Sequence, residues 1–259
     1  MDLRSTVAVA MVTSALALAA APLASQAPAV PSRQALADEL VTANRILAHE
    51  GVVDGYGHVS VRNPADANRY FLARAGAPAL VTAADIVEYD LDSKPVSGSG
   101  AGYMERFIHG EIYKARPDVR AVVHCHCVDV IPFAAANVPL KPMYHMGYFI
   151  GEGVPVFDIR ATAGTTDMLV STPALGQSLA RVLGPRSAAL MRGHGAVVVA
   201  DSLHVVVAKA YYLNVNARLQ LQAMQLHGDG VAGLSPEEAK KAAQTYERSW
   251  ESWKSRLPR

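Results

Sequence analysis

The sequence predicts a single α/β domain preceded by an export signal. Three observations lead there. About 230 residues follow an apolar amino-terminal stretch, a length that suits one domain better than two. Segments with helical periodicity alternate with short apolar runs of strand length. No internal repeat, low-complexity tract or long charge run divides the remainder. Charge is nearly balanced, with 24 Lys and Arg against 23 Asp and Glu and a formal net of +1. No nucleic-acid face or polyanionic partner is therefore expected.

The amino terminus reads as a targeting segment. Arg4 precedes an apolar run from Val7 to Leu23, and small residues follow at Ala24, Ser25, Ala27 and Ala29. The expected division is a secretory signal peptide over 1–29, with Ala27-Pro28-Ala29 as the cleavage motif, and a folded domain over 30–259. Export, to a periplasm, follows. The rival is an uncleaved anchor, which the alanine content and Pro22 weaken, so no stable membrane insertion is expected after cleavage.

From Ser32 the pattern is helical: Leu36, Leu40, Ala43 and Leu47 recur on one face, with Ser32 as N-cap and Gly51 as terminator. Val52 to Arg62 predicts strand, glycine turn, strand, and further strands are expected at Tyr70–Ala73 and Ile86–Leu91. Ser97 to Gly100 leads flexibly into a helix whose apolar side is Met104, Phe107, Ile108, Ile112 and Ala115. A turn at Arg116-Pro117-Asp118 precedes an apolar strand ending in His-Cys-His. A helix through Ala136 comes next, then an aromatic loop from Met143 to Gly153 and a helix from Thr172 to Leu183. Apolar strands at Ser187–Met191 and Ala196–Ala200 flank Arg192-Gly193-His194. A long helix spans Leu203 to about Leu226, and Ser235-Pro236-Glu237-Glu238 reads as a capping box opening the final helix. Trp250 and Trp253 on that helix are packing residues.

The chemistry concentrates between Met104 and His126, with His194 downstream. Alternation on a strand puts His124 and His126 on one face and Cys125 and Cys127 on the other. Two imidazoles on one face are either a packed pair or the start of a metal site. A third ligand from the glycine-flanked His194 favours the metal, because catalytic sites commonly combine three protein ligands with an open position. The cysteines read as small buried hydrophobes, too close in an extended chain to bridge comfortably. Glu105 and His109 share a helix face. His109 orients Glu105, touches substrate, or is a plain surface pair with it. Met104 and Phe107 are expected to raise the Glu105 pKa toward neutrality. His58 is a pocket residue or a turn residue, and Arg62 a substrate clamp or a solvated strand-end cation.

Gly57-His58-Val59-Ser60-Val61-Arg62, Glu105, His124-x-His126 and His194-Gly195, in this order, resemble the class II aldolase/adducin family from Gly57 to about Gln222. The resemblance implies a three-layer α/β/α domain with a central mixed, largely antiparallel sheet. It implies one divalent ion on His124, His126 and His194: zinc or manganese, with iron(II) or cobalt as further candidates. Glu105 stands where the family's aldolases carry their acid/base glutamate. A homotetramer with active sites at subunit boundaries is implied too, and the loop around Tyr144 and Tyr148 suits such a contact.

Sugar-phosphate aldolases of the family have small hydroxyl residues just before the glutamate, where this chain has Tyr103-Met104, and an asparagine where it has His58. Its wording at GHVSVRNP, ERFIHGEIY, MYHMG and ALMRGHGAVVV is more similar to members that decarboxylate hydroxylated aromatic or pyridine carboxylates. His145 falls near the position of the aldolases' tyrosine. The expected site is thus Glu105, His109 and His145 as catalytic groups and His58, Ser60, Arg62, Tyr144 and Arg192 around a small-molecule substrate. The expected activity is a metal-dependent carbon–carbon lyase, first a decarboxylase. The alternatives are an aldolase acting on a small hydroxy-carbonyl compound and a non-catalytic adducin-like scaffold.

Overall fold

The computed structural model describes residues 31–258 apart from 99 and 244; the expected signal over 1–29 lies outside them. Strands are β1 (His58–Arg62), β2 (Arg69–Ala73), β3 (Ile86–Asp90), β4 (Pro95–Ser97), β5 (Ala121–Cys125), β6 (Val156–Phe157), β7 (Ala188–Met191) and β8 (Gly195–Ala200). Helices are α1 (Arg33–His49), α2 (Arg106–Ala115), α3 (Ile131–Ala136), α4 (Arg160–Ala163), α5 (Pro173–Leu183), α6 (Leu203–His227), α7 (Pro236–Lys241) and α8 (Glu247–Arg256). None of the described helices is long and apolar enough to cross a membrane.

The strands form one eight-stranded sheet in the order β4-β3-β2-β1-β5-β8-β7-β6, antiparallel throughout except for the β6–β7 pair. Both faces are covered, giving the three-layer α/β/α arrangement. Along β5, Ala121, Val123 and Cys125 pack with α1, α3 and α6, while Val122 packs with α2 and α5. Near-continuous apolar runs in β5, β7 and β8 follow from this burial on two sides. Each leucine or isoleucine so buried is worth roughly 1.5–3 kcal/mol of transfer free energy, and Leu40, Ile46, Ile108 and Ile112 are all at most 1% exposed.

Registry positions the polar residues. His58 pairs with His124 across β1 and β5, and Ser60 with Val122. Paired residues share a face, so His58, Ser60 and His124 all lie on the α2 side of the sheet. The caps agree with local chemistry: the Ser32, Thr172 and Ser202 hydroxyls accept backbone N–H groups at the starts of α1, α5 and α6.

Four expectations need correction. Val52 to Gly57 is not a strand, because the turn returning from α1 bonds the Val52 and Val53 amides back to the Leu47 carbonyl. The capping box at Ser235 opens a short α7 that ends at Lys241, and the tryptophans sit on a separate α8. The segment before Gly100 includes the edge strand β4. Cys125 and Cys127 are joined in a disulfide with Cα atoms 5.2 Å apart. The strand ends at Cys125, and the turn beyond it brings the second sulfur back.

Candidate active site

Where β5 runs out, four side chains converge. Glu105, His124, His126 and His194 each offer a ligand atom, all within 4.8 Å of one another, and no other such group of three or more occurs among the described residues. Each comes from a different structural device. His124 is the last inward residue of β5, and His126 follows in the turn. His194 occupies the tight loop between β7 and β8, where Gly193 has a φ of +67° and the His194 amide bonds the Met191 carbonyl at 3.0 Å. Beside it, a Cβ on Gly195 would collide with the Cys125 carbonyl, so glycine is what allows β8 to start against β5. Glu105 stands at the N-cap of α2, but its side chain makes no capping bond.

Hydrogen bonds orient the ligands. His124 Nδ1 donates to the Ala196 carbonyl at 3.1 Å and His194 Nδ1 to the Met168 carbonyl at 3.0 Å. In a neutral imidazole this leaves the lone pair on Nε2, facing the centre of the group. Among the described residues, buried His124 Nε2 finds no hydrogen-bond partner, although a Glu105 carboxylate oxygen lies 3.4 Å away. The same oxygen is 3.5 Å from His194 Nε2, and the other accepts from the Val170 amide at 2.9 Å. An orphaned buried Nε2, donor-oriented partner nitrogens and a carboxylate fit a divalent cation.

Electrostatics keep the donors ready. Burial pushes the His194 pKa down to about 4, helped by His124, and burial likewise lowers that of His126. Burial alone would raise the Glu105 carboxyl, but neighbouring His124 and His194 and the Val170 amide outweigh it and hold the carboxyl at about 2. The expected upward shift of Glu105 is therefore reversed. Met104 is 60% exposed and leaves those polar neighbours to decide.

A cavity of roughly 620 Å³ opens on this centre, lined by Tyr56, His58, Tyr103, Met104, Glu105, His126 and Leu169 and by backbone at 55, 57, 75–77 and 101–102. Of the expected substrate and catalytic residues, His58 and Glu105 line it. His109 and Ser60 are fully buried behind His58, and His109 bonds it at 2.6 Å. Arg62 points away: its guanidinium donates to the carbonyls of Val119, Ala67, Tyr113 and Arg116 at 2.5–3.0 Å. It ties β1 to the turn after α2 rather than clamping a ligand. Arg192 is ion-paired to Asp158 at 2.9 Å. Tyr144 lies against Tyr212, its hydroxyl buried without a partner among the described residues, and exposed His145 borders a different cavity with Tyr246 and Arg248. Tyr56, Leu169 and Val170 were not anticipated. Tyr56 is 70% exposed and stacks toward His126 with ring centroids 6.0 Å apart, and an isolated tyrosine between glycines carries no motif.

The α/β/α sheet thus carries, at the end of β5, a histidine–glutamate group able to hold a metal ion. Residues 38–221 match the family described as Class II Aldolase and Adducin N-terminal domain, and the chain belongs to that family. It is 39% identical over 210 residues to the decarboxylase tropJ of Talaromyces stipitatus, covering 76% of this chain and 79% of that one. It is 31% identical over 209 residues to the 3,4-dihydroxyphthalate decarboxylase of Arthrobacter keyseri, covering 74% and 79%. In fold it is similar to the L-fuculose 1-phosphate aldolase of Glaciozyma antarctica, with a TM-score of 0.71 at 21% identity over 90% of this chain and 93% of the other. The chain is an enzyme of this superfamily with decarboxylase homologues and a centre able to hold a metal.

Proposed function

We propose that this protein is a divalent-metal-dependent carbon–carbon lyase that decarboxylates a hydroxylated aromatic or heteroaromatic carboxylate. The observation that carries the reading is the cavity: beside an ionised glutamate and three convergent imidazoles it presents Tyr56, Tyr103, Met104 and Leu169, surfaces for a flat ring. Two relatives that are decarboxylases by name support it.

His124, His126 and His194 would hold the ion, zinc or manganese. When bound it supplies Lewis-acid stabilisation of negative charge on the substrate's hydroxyl oxygen. Glu105 carries the proton. Ionised in the resting site, it accepts the proton of the substrate hydroxyl and returns it to the ring carbon bearing the carboxylate. The bond to carbon dioxide then breaks, its electron pair stays in the ring, and a solvent proton restores the hydroxyl. Tyr56, Tyr103 and Met104 hold the ring and shed water from that carbon.

The test is a panel of ortho-hydroxybenzoates and dihydroxyphthalates beside ketose 1-phosphates, following carbon dioxide and aldehyde separately. Carbon dioxide from an aromatic acid is expected. Aldehyde from a sugar phosphate with no carbon dioxide from any aromatic acid would select the aldolase reading instead. We also propose export and a homotetramer. The disulfide suits an oxidising compartment, and half-buried Tyr148 with exposed His145 in the aromatic loop suits a subunit contact. Light scattering at micromolar concentration tests the assembly.

A further inference from the structure

Behind the cavity runs a buried chain of hydrogen bonds that the chemistry above does not use. Tyr113 Oη lies 2.8 Å from Ser60 Oγ, Ser60 Oγ 2.6 Å from His109 Nδ1, and His109 Nε2 2.6 Å from His58 Nδ1. All four residues are at most 3% exposed, and only His58 lines the cavity. The inner end is closed: Ser60 Oγ is the one hydrogen-bond partner of the Tyr113 hydroxyl among the described residues.

Proton order along such a chain has two settings. In one, the Tyr113 hydroxyl donates to Ser60, Ser60 donates to His109 Nδ1, and His109 Nε2–H donates to His58 Nδ1, so the His58 proton sits on Nε2. In the other every bond is reversed, and the Tyr113 hydroxyl is left with a proton and no acceptor. An unmet buried donor costs about 1–3 kcal/mol, which selects the first setting. Along the chain each ring gives a proton at one nitrogen and accepts at the other, the pattern of two neutral imidazoles.

We propose that the chain Tyr113–Ser60–His109 locks His58 as an Nε2–H donor toward the cavity, where it receives an anionic oxygen of the substrate. His58 is then the anchor, and Ser60, His109 and Tyr113 are positioning residues. An asparagine amide at this place can turn either its oxygen or its nitrogen outward; a histidine backed by a closed chain offers a donor alone. The substrate oxygen in this inference rests on the carboxylate reading above, whereas the tautomer does not.

The experiment has a ligand-free arm and a ligand arm. Full-length protein labelled with ¹⁵N-histidine, its His58 resonances assigned with His58→Phe, reports which ring nitrogen carries the proton. The expected result is Nε2–H in the wild type and a mixture in Ser60→Ala, where the inner partner is gone. A wild-type His58 protonated on Nδ1, or a Ser60→Ala spectrum unchanged from wild type, overturns the lock. In the ligand arm, salicylate binding to zinc-loaded protein is measured by calorimetry. His58→Phe should weaken it by about 10–100-fold, the range for losing a hydrogen bond to a charged group. Equal affinity in wild type and His58→Phe overturns the anchor. The expected tautomer together with no salicylate binding to wild type overturns the anionic-oxygen part through the substrate reading and leaves the lock standing.

Discussion

Nε2 of His126 and Nε2 of His194 stand 3.1 Å apart, a separation at which two lone pairs need a proton or a cation between them. His124 Nε2, buried and without a hydrogen bond, completes the demand. Replacing any of the three with alanine should lower bound zinc or manganese by more than the ~10–100-fold typical of losing an outer hydrogen-bond partner. Elemental analysis after dialysis reads this, and full metal retention in all three variants would refute the centre.

Glu105→Gln keeps a side chain of the same size and one oxygen for the Val170 amide while removing the proton carrier. Turnover of the best panel substrate should fall by ~10² to 10⁴, with little change in thermal midpoint. Wild-type turnover would take Glu105 out of the mechanism.

Arg62 serves four backbone carbonyls from a position only 4% exposed. Arg62→Met should destabilise the protein by roughly 3 kcal/mol or more, since bonds to a charged donor are each worth about 1.5–3 kcal/mol. Salicylate affinity of the folded variant should be unchanged. A substrate clamp would show the opposite pattern in urea melts and calorimetry.

Acid should unfold the metal-free protein early. Burial holds the His109 pKa at about 3 and that of His194 at about 4, whereas an unfolded histidine titrates near ~6.5. The unfolded chain therefore binds protons first as pH falls. Stability is complete above ~6.5 and is lost toward pH 4 and 3, by up to ~1.4 kcal/mol per pH unit per histidine. Urea midpoints between pH 7.5 and pH 4 test the sign; a midpoint that rises on acidification contradicts it.

The Cys125–Cys127 disulfide brackets His126. Protein prepared from an oxidising compartment and unfolded in urea should take up no iodoacetamide before reduction and two equivalents after it, by intact mass, the unfolding being needed because both cysteines are buried. Labelling of both cysteines without reductant would show the pair to be open.

Much of the site was legible in the chain. His124-x-His126, the glycine-flanked His194 and Glu105 were readable because each depends on local signals: a close pair at a strand end, a turn that needs glycine, a helix start; alternation itself stops at Cys125, and the turn beyond it places His126. The roles of Ser60, Arg62 and His109 were not. They share a strand or a helix face with true cavity residues, and only the pairing of β1 with β5 and the packing of α2 decide which atoms reach the cavity and which lie behind it.

The sequence by itself determined the longer helices, the middle strands and the choice of three histidines and a glutamate that converge, because hydrophobic period, caps and turns are short-range physics. Tertiary structure alone decided the Glu105 charge, the disulfide, the Arg62 tie to backbone carbonyls and the closed chain behind His58. Each of these depends on groups distant in the chain or on a backbone turn, and on how far water is excluded from between them. Burial and partner distance, which set pKa and proton order, exist only once the sheet is assembled.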